Sequence, residues 1–151
     1  QIARRIERDY PRRSSDGQLA SNIPNAISHA VSAIAQQLEA AAILPLTKSG
    51  ATARNVSKFR PSTPILAITS EKTVASQLQL VWGVNPLLVA DMDNATDTFN
   101  RAMEVAAEEK LLKEGDLVIQ TAGTVAGKSG STDLLKVSFV GEGTVLNPAI
   151  I

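Results

Sequence analysis

Residues 41–52 read Ala-Ala-Ile-Leu-Pro-Leu-Thr-Lys-Ser-Gly-Ala-Thr, and this stretch decides the fold. Its first half, Ala41 to Leu46, is an apolar run of the kind that forms a buried strand. Thr47-Lys48-Ser49-Gly50 then makes a short polar loop, and a helical pattern begins at Thr52. Strand, loop and helix N-terminus in that order make a place for an anion. The first N–H groups of a helix have no partner inside it, and the helix dipole is positive at that end. Lys48 adds a full charge, while Thr47, Ser49 and Thr52 add hydroxyl donors around the one glycine, Gly50. The stretch reads as a phosphate cradle.

Upstream, Ile23, Ile27, Ala30, Val31, Ile34 and Leu38 form a helical stripe over 22–38, with Pro24 expected in the first turn. His29 lies beside that stripe and is read as a packing residue at a helix edge. Further back, Ile2 and Ile6 suggest a short Arg-rich helix, and Pro11 to Gly17 reads as a connector. Downstream, a helix from Thr52 to Phe59 is stopped by Pro61, and Ile65 to Thr69 is a second apolar strand. Ser70 is expected to cap the next helix, which carries Val74, Leu78 and Val81 and ends by Gly83. Pro86 to Ala90 is the third strand, and the acidic loop Asp91-Met92-Asp93-Asn94 follows it. That loop lacks the glycine and distal glutamate of a calcium site, so it is read as solvated. Asn94 and Asp97 resemble a capping box for a helix reaching about Lys113. Leu117 to Thr121 is the fourth strand. After a glycine-rich loop, Leu134 to Val140 alternates apolar with polar as a half-exposed fifth strand does.

This order predicts an α/β fold in three layers, with helices on both faces of a five-stranded mixed sheet. Right-handed crossovers make four strands parallel, and the short last connection makes the fifth antiparallel. With spatial order 3-2-1-4-5, strands one and four are neighbours at the point where the winding reverses, and ligands bind there beyond the carboxyl ends. The loops after those two strands then line one crevice. Three segments are expected: an N-terminal helix and connector over 1–20, the α/β domain over 21–141, and a tail over 142–151.

Gly123-Thr-Val-Ala-Gly127-Lys128-Ser129 looks like a Walker A loop but has one residue too few between its glycines, and a strand follows it where the motif needs a helix. Gly127, Lys128, Ser129, Gly130, Ser131 and Thr132 are still able to close over a phosphate with amides and hydroxyls. The competing reading is a plain connector.

Composition narrows the function. Lys plus Arg equals Asp plus Glu at 15 each, so the overall charge selects no partner. Aromatic residues at 3% leave little for base stacking, which argues against nucleic acid. With no cysteine, thiolate metal sites and disulfides are excluded, and a reducing cytoplasm is the simplest address. No apolar run approaches the ~20 residues of a membrane span. A single histidine removes His-pair chemistry, and no acid, base or nucleophile constellation emerges. The residues alone describe a phosphate-binding module without chemistry of its own.

Thr47-Lys48-Ser49-Gly50-Ala51-Thr52, Lys58-Phe59-Arg60-Pro61, Ile65-Leu66-Ala67-Ile68-Thr69, Trp82-Gly83-Val84, Gly115-Asp116-Leu117-Val118-Ile119 and Gly127 to Thr132 resemble, in order, the C-terminal domain of pyruvate kinase. The similarity runs from about Asn25 to Val140. The resemblance implies a parent enzyme that transfers phosphate from phosphoenolpyruvate to ADP, with Mg and K held by a catalytic barrel and lid outside this segment. This segment would carry no cofactor. It would bind a phosphorylated effector through Thr47, Lys48, Ser49, Gly50 and Thr52, with Gly127, Lys128, Ser129, Gly130 and Thr132 folding over it. Leu134 to Val140 would pair with a second subunit, and the catalytic barrel would be its other partner. Members tuned to fructose bisphosphate usually place an arginine where this chain has Ala51, and a tryptophan and an arginine ahead of the long helix. Here that second region, Asp91 to Thr98, is acidic and has neither, so a monophosphate such as a sugar monophosphate or AMP is the expected effector. A free-standing phosphate-binding protein and a purely structural assembly domain are the alternatives.

Overall fold

The computed structural model describes residues 16–123 and 132–141. Nine elements follow one another: α1 Asp16–Gln37, β1 Ala42–Pro45, α2 Ala51–Lys58, β2 Ile65–Thr69, α3 Lys72–Leu78, β3 Val84–Leu88, α4 Ala95–Glu108, β4 Leu117–Gly123 and β5 Thr132–Phe139. They build one five-stranded sheet in the order β3-β2-β1-β4-β5. The first four strands are parallel and β5 runs antiparallel to β4. The topology expected from the sequence is the one observed.

Alternation along the strands sorts the core into two faces. Ala42, Leu44, Leu66, Ile68, Val118 and Ala122 meet Phe99, Ala102, Met103 and Ala106 of α4 on one side. Ile43, Ile65 and Ile119 meet Val31 and Ala35 of α1 and Val56 of α2 on the other, where Ala53, Ala67 and Leu78 extend the contact to α3. The handedness of the crossovers accounts for this split. Two successive crossovers toward β3 leave α2 and α3 on one face, and the return past β1 to β4 places α4 on the opposite one. Ile43, Leu44, Ile65, Ile68 and Ile119 are fully enclosed, and truncating any one of them to alanine costs ~2–5 kcal/mol.

Several boundaries differ from the sequence reading. α1 begins at Asp16, so the expected connector overlaps its start and Pro24 lies inside the helix rather than in its first turn. The remainder of that connector, the short helix near Ile2 and the tail over 142–151 fall outside the described residues. The face that α1 buries is not quite the apolar stripe. Ser28, Val31, Ser32 and Ala35 are buried, whereas Ile23, inside the helix, and Leu38, just past its end, remain 48% and 45% exposed. His29 meets the Phe59 ring with centroids 5.1 Å apart, as an edge-packing residue does.

β3 spans Val84–Leu88 rather than Pro86 to Ala90, and it is an edge strand, where Pro86 can be tolerated. β5 spans Thr132–Phe139 rather than Leu134 to Val140, because a register shift beside Gly123 lets Thr132 pair. The residue preceding α3 is Glu71, not Ser70, and Thr69 Oγ1 accepts a hydrogen bond from the Glu71 N–H. α4 stops at Glu108, before Lys113, and Asn94 caps it through the Asp97 N–H as expected.

Candidate functional site: an anion cradle at the switch point

β1 ends where its neighbours diverge. The Leu46 N–H goes to Thr121 O of β4 and the Thr47 N–H to Ile68 O of β2, both at 2.9 Å. The chain therefore leaves the sheet anchored on both sides, and residues 47–50 form the loop above it. Thr47 is buried, and its Oγ1 accepts the Gly50 N–H at 2.8 Å, which closes the loop into a tight turn. That turn needs Gly50 in the left-handed region, at φ +89, and it delivers the chain into α2. Gly50, at the N-cap position, has no side chain to cap α2. Of the first-turn N–H groups, that of Ala51 meets the Ser49 hydroxyl, and such groups at a helix N-terminus are donors of the kind that bind anions.

Lys48 is 74% exposed at the rim of the turn, with Nζ 3.8 Å from Oδ2 of Asp91 in the loop after β3. Ser49 is exposed, and its Oγ accepts from the Ala51 N–H at 3.4 Å. Thr52 is buried, and its hydroxyl lies 2.6 Å from that of Thr132 at the start of β5. The hydroxyls of Thr47 and Thr52 thus each have a partner within the protein, the Gly50 N–H and the Thr132 hydroxyl. Gly127, Lys128, Ser129, Gly130 and Ser131 lie outside the described residues. Both ends of their loop are fixed: Gly123 pairs with Thr132 at the carboxyl end of β4, and Thr132 touches Thr52.

Sequence reasoning missed Arg54. One turn into α2, it points back along the helix, as long helical side chains do. Its Nη1 donates to Ser49 O at 3.0 Å and its Nη2 to Gln77 Oε1 at 3.4 Å. It also roofs Gly50, since a Cβ built there would stand 2.7 Å from Nη1. By holding the Ser49 carbonyl, Arg54 fixes the peptide that precedes the helix. The available signal was a base four positions after the loop glycine. Among the described residues, no group of three or more His, Cys, Asp or Glu side chains is arranged to hold a metal ion, and no helix is long and apolar enough to cross a membrane. What the arrangement offers chemically is amides, hydroxyls and the exposed Lys48 ammonium, grouped at the carboxyl end of β1.

The family described as pyruvate kinase, alpha/beta domain, matches residues 25–138. Pyruvate kinase 2 of Synechocystis sp. is 57% identical over 139 residues, a match that covers 92% of this chain and 24% of that protein. Pyruvate kinase of Lactobacillus delbrueckii subsp. bulgaricus is 41% identical over 121 residues, covering 80% of this chain and 20% of the relative. The chain thus spans roughly a quarter or less of the curated relatives it matches. The crystal structure of Cryptosporidium parvum pyruvate kinase superposes with a TM-score of 0.69 at 26% identity, over 93% of this chain and 25% of that one. The same enzyme in complex with ADP gives 0.70 at 27% identity, again over 93% of this chain. A shared strand order, an ordered set of motifs and this degree of identity lead to one conclusion: the chain belongs to the pyruvate kinase family, as its alpha/beta domain.

Proposed function

We propose that this domain binds a phosphorylated metabolite in the crevice above β1 and β4 and passes the effect of binding to a neighbouring subunit. The observation that carries the reading is the cradle itself. Lys48 stands at the rim of a tight turn, Gly50 places no side chain over the N-terminus of α2, and Thr132, the first residue of β5, is hydrogen-bonded to Thr52 beside it. Lys48 supplies charge to the phosphate, the amides after Gly50 supply directed donors, and Ser49 with Gly127 to Thr132 completes the enclosure. The whole enzyme would transfer phosphate from phosphoenolpyruvate to ADP, with Mg and K bound in its catalytic barrel. This domain would act as its allosteric and subunit-contact part. A ligand biases the neighbouring subunit only if it binds two quaternary states with different affinity.

The subunit contact is assigned to β5, which among the described residues has no strand on its outer side and whose Phe139 remains 47% exposed. Open edges of this kind take up another strand. A monophosphate is the expected ligand, since Ala51 brings no arginine to the cradle and the loop facing it carries Asp91 and Asp93. A thermal-shift screen of the 151-residue chain against sugar monophosphates, AMP and fructose 1,6-bisphosphate tests the reading. A ligand that binds only the folded state raises the midpoint. A monophosphate giving the largest rise is the expected result; a larger rise with the bisphosphate refutes the preference, and no rise with any of them refutes the site.

A further inference from the structure

We infer that the amino end of the sheet, opposite the cradle, is the face on which this domain meets the remainder of a pyruvate kinase polypeptide, with Leu80 and Trp82 at its centre. The inference uses the family assignment and is independent of the phosphate reading. Two stretches singled out in the sequence, Lys58-Phe59-Arg60-Pro61 and Trp82-Gly83-Val84, take no part in the cradle, and the fold brings them together. Arg60 follows α2 and Trp82 precedes β3, so both stand where a helix hands the chain back to a strand. The Arg60 guanidinium lies over the Trp82 ring, 5.0 Å from its centroid, and the Ser57 hydroxyl donates to Trp82 O at 2.6 Å. Ring and backbone are thus both held. Trp82 nevertheless stays 46% exposed, and its indole N–H has no acceptor among the described residues.

Exposed apolar side chains gather at this end. Leu38, Leu80, Trp82 and Leu111 lie in the connections that lead into β1, β3 and β4, and Phe139 pairs with the first residue of β4. Leu80 is the extreme, at 91% exposure. Of the other large apolar side chains left exposed, Leu88 and Met92 lie at the carboxyl end and Ile23 on α1. A single exposed leucine needs no explanation, but several at one end of a sheet mark a contact surface. Tryptophan and arginine are the side chains that most often anchor such a surface, and charge belongs at its rim. Glu39, Arg60 and Lys110 supply that charge from helix ends on the same face, each at a positive φ that glycine adopts more easily. What covers the face follows from length. The match takes in 24% of Pyruvate kinase 2 of Synechocystis sp., so most of such an enzyme lies outside this domain and needs a surface of it to meet. The edge of β5 is assigned to a second subunit, and both faces of the sheet already carry helices. The amino end is the apolar surface that remains.

The test follows amide hydrogen exchange in the 151-residue chain and in the full-length enzyme that carries this domain, each unchanged, with Leu80→Ser and with Met92→Ser. Residues 79–83 are expected to exchange at least about tenfold more slowly in the full-length enzyme, because a docked face suppresses local opening. The loop 91–94 should exchange alike in both. Leu80→Ser should return 79–83 of the enzyme toward the rate of the isolated chain and lower the enzyme's melting temperature by about 2–4 °C, while the isolated chain stays within about 1 °C. Met92→Ser, an equally apolar loss at the carboxyl end, should change neither. If 79–83 exchange equally fast in the two proteins, or Leu80→Ser is as silent in the enzyme as Met92→Ser, the inference fails and the family assignment stands. If the isolated chain already protects 79–83 and Leu80→Ser turns a dimer into a monomer in sedimentation, a second copy covers the face, and the inference fails again. The rise in midpoint with a sugar monophosphate should be the same with and without Leu80→Ser, so a failure of the cradle and a failure of this face are read separately.

Discussion

The hydroxyls of Thr52 and Thr132 meet at 2.6 Å in a buried contact, which ties the first turn of α2 to the first residue of β5 across 80 positions of sequence. The bond joins the two loops that flank the switch point of the sheet, one at its end and the other at its exit. Its strength is therefore tied to the shape of the cradle as well as to the stability of the fold.

Thr52→Val or Thr132→Val should each destabilise the domain by ~1–2 kcal/mol, because each leaves a buried hydroxyl without its partner. The double variant should cost clearly less than the sum, since both polar groups are then gone. Urea midpoints of the four proteins measure this coupling, and strict additivity would mean that the two hydroxyls do not act on each other.

Lys48→Ala should leave the unliganded melting temperature within about 1 °C of the parent, as an exposed ion pair contributes ~0–1 kcal/mol. Phosphate-dependent stabilisation should fall by about tenfold in apparent affinity, the expected loss of one charge-assisted contact. Calorimetric titration with a sugar monophosphate separates the two effects. Undiminished affinity would remove Lys48 from the site.

Gly50→Ala places a side chain on a residue held at φ +89, a conformation that costs roughly 1–2 kcal/mol without glycine. The new Cβ also meets the Arg54 guanidinium at 2.7 Å. Arg54→Ala removes that collision but not the backbone strain, so the double variant should recover only part of the stability. Arg54→Ala alone should weaken phosphate binding with little change in midpoint, because it frees the Ser49 carbonyl. Full recovery in the double variant would show that crowding, not φ, makes Gly50 necessary.

Ser28, Ser32 and Thr121 carry buried hydroxyls with no hydrogen-bond partner among the described residues. Ser28 and Ser32 lie on the buried face of α1, and Thr121 lies near the carboxyl end of β4. Ser28→Ala and Ser32→Ala should be neutral or stabilising by up to ~1 kcal/mol, since alanine removes an unpaired polar group and favours the helix. Thr121→Val should behave likewise. A loss above ~1 kcal/mol at any of the three would reveal an ordered water bonded to that hydroxyl.

What the chain determines by itself is the order of its elements and the winding of its sheet. Apolar runs at Ala41 to Leu46 and Ile65 to Thr69 can be satisfied only as covered strands, and short crossovers have one favourable hand. The loop that joins β1 to α2 was legible for the same local reason, since Thr47, Lys48, Ser49 and Gly50 sit between a strand and a helix start whatever surrounds them. Element ends were less so: β3 and β5 each start two residues earlier than their apolar pattern, because pairing with a neighbour rather than hydrophobicity sets where an edge strand begins. Only tertiary structure decided that Thr47 and Thr52 turn inward, that Arg54 folds back onto Ser49, and that Asp91 comes to Lys48. These are contacts of side-chain direction or of residues far apart in the chain. Periodicity carries no information about them, because they exist only once packing has brought separate strand ends together.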